Sequence, residues 1–236
     1  MTTTLKISIK DVYFTLLLVI IFLPFVFIEP LYAFYKAFNL AHPFVMAFIK
    51  FGILSTIGES LGLRIKEGVY NKDGFGIAPR MIIWGILGVW IAMAMKLFAA
   101  GVPELVKILG INSAIINNLP DAFSSTLCSV VNAFFISLFM NTSFAPVFMT
   151  LHKITDMHII KFNGNISCLC KPIDFVQSFK SINWQVQWSF VFKKTIPFFW
   201  IPAHTITFLL PASAQVLFAA LLGLALGVIL SIAARK

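Results

Sequence analysis

The stretch that decides the fold class is Thr195–Ala234, TIPFFWIPAHTITFLLPASAQVLFAALLGLALGVILSIAA, in which His204 is the only ionisable residue. A water-soluble protein has no place for so long an apolar run, whereas the hydrocarbon core of a bilayer accommodates it. The sequence therefore predicts an integral membrane protein.

The composition of the whole chain agrees with this stretch. Hydrophobic residues make up 59% of the chain, charged residues make up 11%, and the mean hydropathy is +0.93. An ordinary soluble domain has roughly a quarter of its residues charged. With 236 residues, the chain can supply about five or six spanning helices of roughly twenty residues each. We therefore predict an all-α, polytopic transmembrane helical bundle with five to six membrane segments.

Charged residues and prolines divide the chain into six apolar segments, at 12–28, 42–63, 81–101, within 122–151, 195–210 and 212–234. The fourth would be about 45 Å long at ~1.5 Å per residue, longer than a hydrocarbon core of roughly 30 Å. Tilt, or a break near Asn141–Pro146, must absorb the excess. The fifth is short and contains Pro197 and Pro202, which predicts a kinked or partly re-entrant helix.

The first segment predicts an anchor that is added to the main membrane domain. Lys6 and Lys10 precede it, as in a signal peptide, but no small-residue cleavage site follows it. We therefore divide the chain into a basic tail and anchor at 1–30 and a membrane domain at 31–236. A polar stretch at 152–194 is predicted to be a loop on the cytoplasmic side.

The distribution of basic residues predicts the orientation. Alternate sides of the six segments receive very unequal shares of the 18 Lys and Arg residues. The richer side holds Lys6, Lys10, Arg64, Lys66, Lys72, Arg80, Lys153, Lys161, Lys171, Lys180, Lys193, Lys194, Arg235 and Lys236. By the positive-inside rule this side is cytoplasmic or equivalent, and it carries both termini. The net charge of +9 thus indicates contact with anionic lipids rather than nucleic acid.

Small residues at four-residue spacing predict close helix packing. Gly58 and Gly62 form such a pair in the second segment, and Gly223 and Gly227 form another in the last. In lipid, such pairs allow helix backbones to approach closely. They serve either packing within one chain or a homo-oligomer interface. Four tryptophans near segment ends are interpreted as an interfacial belt, namely Trp84, Trp184, Trp188 and Trp200.

Several of the polar and small residues occur in an order typical of a known family. Leu31–Ser60, LYAFYKAFNLAHPFVMAFIKFGILSTIGES, has an aromatic lead-in, the His42-Pro43 pair and the Gly58-Glu59 pair. Further matches are Arg80-Met81, Gly85, Asn141–Pro146, Trp184, Pro197, Trp200, Pro202, Phe208 and Pro211. From about Leu31 to the C-terminus, the chain resembles the peroxisomal membrane protein and mitochondrial inner-membrane Mpv-type family.

This resemblance implies a small channel-like protein and a helical membrane domain. Glu59 stands where the family usually has Asp, and Asn141-Thr142 stands where it often has Asp-Gln. The family's eukaryotic members occupy mitochondrial inner and peroxisomal membranes. The added anchor and the basic side would also suit the plasma membrane of a prokaryote.

Polar residues inside apolar segments are the candidate functional residues. An acid such as Glu59 costs about 2.5–3.5 kcal/mol to insert unless it meets a partner or water. It is either neutralised by Arg64 or Lys66 near the helix end, or it lines a pore. Further candidates for a polar path are Arg80, Asn132, Asn141 and His204. Interhelical hydrogen bonds are the alternative role for the two asparagines and for His204.

Enzyme chemistry finds little support in the sequence. His152 and Asp156 would share one helix face, but His158 would not, and no activating motif surrounds them. Cys128, Cys168 and Cys170 form neither a disulfide framework nor a zinc-ligand set. No phosphate-binding loop of the GxxxxGK[ST] type occurs. We therefore expect no catalytic site, metal or cofactor.

These observations leave three hypotheses. The first is a channel-like protein that lets small solutes or ions pass. The second is a non-conducting structural or scaffolding membrane protein, in which polar residues only hold the helices together. The third is a secondary transporter, which would be favoured by corresponding broken segments in two halves of the chain.

Overall fold

The chain forms helices throughout its apolar segments. A computed structural model describes residues 8–233, apart from the side chains of residues 122 and 230–233. The α-helices are α1 (Ile9–Phe27), α2 (Glu29–Ala41), α3 (Pro43–Glu67), α4 (Ile77–Ile108), α5 (Ile111–Asn118), α6 (Asp121–Phe139), α7 (Ala145–Lys161), α8 (Phe175–Ser181), α9 (Trp184–Val186), α10 (Ile201–Leu209) and α11 (Ala212–Ala233). The part of the chain that the structure describes contains no strand, and the predicted all-α fold is confirmed.

Two stretches of π-helix join some of these helices without a break. The short π-segment, Met140–Phe144, connects α6 to α7, and the long π-segment, Gln187–Trp200, connects α9 to α10. The chain is therefore helical from Asp121 to Lys161 and again from Trp184 to Leu209. The short π-segment lies at the predicted break near Asn141–Pro146.

The helices identify the chain as a multi-pass membrane protein. Among the described residues, five helices are long and apolar enough to cross a membrane, namely Ile9–Phe27, Pro43–Glu67, Ile77–Ile108, Phe123–Lys161 and Ala212–Ile229. The predicted fifth segment, 195–210, is not one of these five helices. Most of it forms the second part of the helix from Trp184 to Leu209.

The prediction of a loop at 152–194 is wrong at both of its ends. Helix α7 continues to Lys161, and the next long helix begins at Trp184. Between them lie a 3₁₀ turn at Ile166–Cys170 and the short helix α8. The charged residues in this stretch do not end α7, because its polar side chains turn towards partners on other helices.

Helix α3 lies at the centre of the bundle between α4 and α11. A Cβ atom at Gly52 would lie 2.8 Å from the carbonyl oxygen of Met81, and one at Gly58 would lie 2.9 Å from Cα of Leu224. Gly227 packs against the Gly58 carbonyl, and Gly62 is buried. The predicted small-residue pairs therefore serve packing within one chain.

Helix α1 lies outside this bundle, and none of its residues is buried. An ion pair attaches its first turn, with Nη2 of Arg64 2.7 Å from Oδ2 of Asp11. The Tyr70 hydroxyl donates to the same carboxylate at 2.8 Å, and burial raises the pKa of Tyr70. The start of α1 therefore lies beside the end of α3.

Two connections meet at this same end of the bundle. Gly76, before α4, and Gly164, after α7, have φ angles of 71° and 69°. A Cβ atom at Gly76 would lie 2.7 Å from Cα of Gly164, so glycine is required for both the backbone conformation and the close approach. We refer to this end as the Arg80 end, because Arg80 lies in the first turn of α4.

Candidate functional site

Arg80 joins three helices at this end of the bundle. Its Nη1 lies 2.5 Å from Oε2 of Glu59 on α3, and its Nη2 pairs with Oδ1 of Asp156 on α7. Its Nε donates to the carbonyl oxygen of Phe75 at 2.6 Å. Because Arg80 is only 6% exposed, its planar guanidinium fixes the relative positions of α3, α4 and α7.

Glu59 has a second set of partners on its other oxygen. Trp84 Nε1 donates to Oε1 at 3.0 Å, and Nε2 of His152 lies 3.2 Å from the same atom. The prediction that Arg64 or Lys66 neutralises Glu59 is wrong, because Arg64 binds Asp11 and Lys66 is exposed. We define the Arg80 cluster as Glu59, Arg80, Trp84, His152, Lys153 and Asp156.

The formal charges within the Arg80 cluster balance. Lys153 lies 3.8 Å from Asp156, so the cluster contains two carboxylates, one guanidinium and one ammonium. The cluster has no net charge when His152 is neutral. It therefore gives no strong electrostatic preference for either cations or anions.

A second polar group lies deeper in the bundle, where the short π-segment meets α10. Nδ1 of His204 lies 3.1 Å from the amide nitrogen and 3.2 Å from the amide oxygen of Asn141. The Asn141 amide also donates to the carbonyl oxygen of Ser137 at 2.9 Å, and the Ser137 hydroxyl donates to Ile201 at 2.7 Å. Two predicted candidates, Asn141 and His204, are thus brought together.

Asn132 lies apart from the other candidates. Its side-chain oxygen accepts a hydrogen bond from Asn112 on α5 at 3.4 Å. This contact joins α5 to α6 on the side away from the Arg80 cluster. Asn132 therefore takes part in an interhelical hydrogen bond, which is one of the two roles that the sequence left open.

A central cavity of about 340 Å³ extends between the Arg80 cluster and the Asn141–His204 pair. Glu59, His152 and Lys153 line one part of it, and Asn141 and His204 line another. Most of its walls are apolar, with aromatic side chains prominent: Phe51, Trp84, Phe144, Phe148, Phe190 and Trp200. Its shape and lining are those of a small-molecule site between helices of a bundle.

Three buried polar atoms on the cavity lining have no hydrogen-bond partner among the described residues. They are Oγ of Ser55, Nε2 of Gln187 and Nε1 of Trp200. Ser55 and Gln187 are only 4% and 7% exposed. A buried polar atom without a partner costs about 1–3 kcal/mol, so three on the lining of one cavity indicate a site for a ligand or solute.

Both π-segments contribute to the cavity lining. The short one supplies Asn141, and the long one supplies Gln187, Val191, Thr195 and Trp200. π-Helices are rare and occur frequently at functional sites. The cavity is therefore built where the regular α-helical pattern is interrupted on two helices.

Sequence reasoning missed part of this site. Gln187 fell within the predicted loop, and Trp200 was interpreted as an interfacial anchor. The structure places Trp84 and Trp200 on the cavity, whereas Trp184 and Trp188 are exposed, as an interfacial belt requires. The spacing of His152 and Asp156, which puts them on one helix face, was the available signal for the Arg80 cluster.

His158, the third residue of the possible enzyme cluster, lies elsewhere. Its Nε2 donates to the carbonyl oxygen of Cys168 at 2.9 Å and so fixes the 3₁₀ turn against α7. Among the described residues, His152 contacts Glu59, and Asp156 forms an ion pair with Arg80 instead.

Comparison of the chain with protein-family models, with characterised proteins and with solved structures gives no match. Membership of the Mpv-type family therefore stays a prediction, and the function must be argued from the cavity itself.

Proposed function

We propose that this protein lets small uncharged solutes cross the membrane through the central cavity. The observation that carries the proposal is the set of buried polar atoms of Ser55, Gln187 and Trp200 that lack a partner among the described residues and lie on the cavity lining. A bundle with a purely structural role would gain stability by replacing such atoms with apolar ones. A passing solute can offer them hydrogen bonds.

The charges around the cavity favour uncharged solutes over ions. Glu59 and Asp156 are paired with Arg80, and Lys153 lies beside Asp156. An ion inside apolar walls needs an opposite charge or many polar groups to replace its water shell. The paired charges of the Arg80 cluster do not provide this, whereas a few hydrogen bonds suffice for an uncharged molecule.

Tightly packed apolar side chains form and adjoin part of the cavity lining. There the core packs Phe51, Ile91, Met140 and Ala220 together, with Phe208 against them. The cavity lining also includes Lys153, whose side chain is 48% exposed. We expect passage to require a change of helix packing in the apolar core, and the two π-segments are the irregular elements beside it.

The orientation is part of this proposal. The Asp11–Arg64 ion pair and the contact of Gly227 with Gly58 bring the first turn of α1 and the last part of α11 to the Arg80 end. Most basic residues of the chain flank the same end in sequence. By the positive-inside rule we assign the Arg80 end to the cytoplasmic or equivalent side.

The family resemblance is consistent with this proposal. Glu59, Arg80 and Asn141 lie on or beside the cavity, and these residues carry the similarity to the Mpv-type family. We propose that the chain is a divergent member of it. The membrane that follows is mitochondrial inner or peroxisomal in a eukaryote and the plasma membrane in a prokaryote.

A secondary transporter is the second candidate, because two of the helices that line the cavity are interrupted by π-segments. Substrate sites of secondary transporters are typically formed by such irregular helices. A transporter would give flux that saturates with solute concentration and is accelerated by solute on the opposite side. A channel would give flux that rises linearly.

Flux into liposomes tests the proposal. Purified protein should admit glycerol and acetamide faster than protein-free liposomes do, and should admit K⁺ and Cl⁻ far less. Gly223→Leu should reduce this flux at least tenfold, since Gly223 lines the cavity and faces Ser55. Gly101→Leu is the matched control, because a Cβ atom there meets nothing within 4 Å.

Two results would contradict the proposal. Folded wild-type protein that gives no flux above protein-free liposomes would favour the structural hypothesis. Equal flux through Gly223→Leu and Gly101→Leu would exclude the cavity as the route.

A further inference from the structure

The unpartnered atoms of the central cavity include two that can only donate. Nε1 of Trp200 is an indole N–H, and Nε2 of Gln187 is an amide NH₂. The hydroxyl of Ser55 can donate or accept. A ligand that satisfies both nitrogens must therefore offer hydrogen-bond acceptors.

The acceptors on the cavity wall are largely engaged by the protein. The Glu59 carboxylate binds Arg80, Trp84 and His152, and the Asn141 amide faces His204. A ligand whose polar groups are all donors would find few places to bond. The cavity thus favours ligands that accept hydrogen bonds over ligands that can only donate them.

The charge balance excludes a second class of ligand. A carboxylate would need a free cation, but Arg80 holds two carboxylates and Lys153 lies beside Asp156. A cation would need a free acid, and both Glu59 and Asp156 are taken. Burying an ion without a partner costs far more than burying a hydrogen-bonded neutral group.

The walls and the volume set the remaining features of the ligand. Aromatic side chains from α3, the α6–α7 helix and the long π-segment line the cavity, namely Phe51, Phe144, Phe148 and Phe190. Its 340 Å³ corresponds to roughly eleven water volumes at about 30 Å³ each. A molecule of roughly ten to fifteen non-hydrogen atoms with an aromatic or aliphatic body fits these walls.

We propose that the central cavity binds an uncharged molecule with an apolar body and carbonyl oxygens, such as a neutral amide, ester or ketone. The carbonyl oxygens of the ligand accept hydrogen bonds from Gln187 at one part of the cavity and from Trp200 at another. The apolar body of the ligand packs against the aromatic walls. This inference rests on the proposed function, since it names the class of solute that the cavity selects.

Equilibrium binding to purified full-length protein in nanodiscs tests the inference, with tritiated N-acetylphenylalaninamide as the probe. The probe is uncharged and carries two carbonyl groups on an aromatic body. Its anionic relative N-acetylphenylalanine has nearly the same shape, and its cationic relative phenylalaninamide is smaller because it lacks the acetyl group. The neutral probe is expected to bind at least tenfold more tightly than either ion.

Matched variants locate the binding. Gln187→Leu and Trp200→Phe should each weaken binding roughly threefold to tenfold, because each removes one hydrogen bond to a neutral group. Gln185→Leu and Trp188→Phe make the same changes on exposed positions of the same helix and should leave binding unchanged. Thermal melting of each variant confirms that it is folded.

Several results would overturn the inference. Tighter binding of either ion would exclude the proposed ligand class, as would equal losses in the cavity variants and the surface controls. Failure of the probe to bind protein that still passes glycerol would overturn the inference and leave the proposed function standing. Binding of the probe by protein without any solute flux would overturn the proposed function and leave the ligand site standing.

Discussion

At the scale of single residues, Arg80 holds together the end of the bundle on which the cavity depends. One guanidinium, almost fully buried, faces carboxylates from two other helices. Removing one partner of a buried ion pair leaves the remaining charge without compensation, which typically costs about 3–5 kcal/mol. Arg80 is therefore the side chain whose loss should harm folding most.

We predict that Arg80→Met lowers the free energy of unfolding by about 3–5 kcal/mol, as measured by SDS titration in mixed micelles. Lys107→Met is the control, because Lys107 pairs with Glu104 at the surface, where ion pairs contribute about 0–1 kcal/mol. A loss in Arg80→Met no larger than in Lys107→Met would show that the Arg80 cluster does not hold the helices together.

The cysteines after α7 provide a second prediction at this scale. Cys168 is 1% exposed, and burial raises the pKa of its thiol, whereas Cys170 is exposed. Since the thiolate is the reactive form, a raised pKa leaves less of it near neutral pH, and the rate should rise only at more alkaline pH.

At pH 7.5, a maleimide should label Cys170 at least a hundredfold faster than Cys168, as followed by mass spectrometry of the two single-cysteine variants. Denaturation in SDS should remove most of the difference. Equal rates in the folded protein would mean that the 3₁₀ turn is not packed against α7.

The sequence identified most of the polar residues of the site but not their pairing. Glu59, Arg80, Asn141 and His204 stand out because acids, bases and amides are rare inside apolar segments. Their partners depend on which helices pack together, which single-chain periodicity does not encode. Arg64 illustrates this, since α1, which it holds, is far from it in sequence and adjacent to it in space.

At the scale of helices, close packing of α3 against α11 forms one side of the cavity. Gly58 meets the backbone of Leu224, and Gly223 faces Ser55. The four-residue spacing of the glycines on each helix can be read from the sequence. That these glycines pack helices of the same chain together is seen only in the structure. In a membrane, an apolar side chain gains little by exchanging contact with lipid for contact with another helix. The close backbone contact therefore stabilises the association of α3 with α11.

Gly58→Ala should therefore destabilise the protein by about 1–3 kcal/mol, because its Cβ atom would lie 2.9 Å from a backbone atom of α11. Gly101→Ala, on a helix surface with open space around it, should be neutral or slightly stabilising. SDS unfolding of both variants measures the difference. Equal stabilities would mean that α3 and α11 are not in close contact.

The π-segments mark the limit of what sequence periodicity can predict at this scale. The break near Asn141–Pro146 could be expected from the excess length of the fourth segment and from its proline. The long π-segment could not, because Lys193 and Lys194 gave its first half the composition of a loop. At each π-segment, the change from an α-helical to a π-helical repeat turns side chains towards the cavity.

At the scale of the whole molecule, the helices form a bundle in which several polar contacts collect at the Arg80 end. The Arg80 cluster, the meeting of the two connections at Gly76 and Gly164, and the Asp11–Arg64 pair all lie at this end. Hydrophobicity alone predicted most of the helices, since lipid requires long apolar ones. The cavity was not predictable, because it arises from how five α-helices and two π-segments pack.

The most direct test of solute passage through the central cavity is chemical blockage of one of its walls. Ser55→Cys, in a variant whose natural cysteines are replaced by alanine, changes the side chain little, since the Ser55 hydroxyl has no partner among the described residues. Glycerol flux into liposomes is measured before and after reaction with methanethiosulfonate ethylammonium, with Gly101→Cys as the control. We predict that the reaction reduces flux at least tenfold in Ser55→Cys and leaves it unchanged in Gly101→Cys. Unchanged flux through fully modified Ser55→Cys would contradict the account.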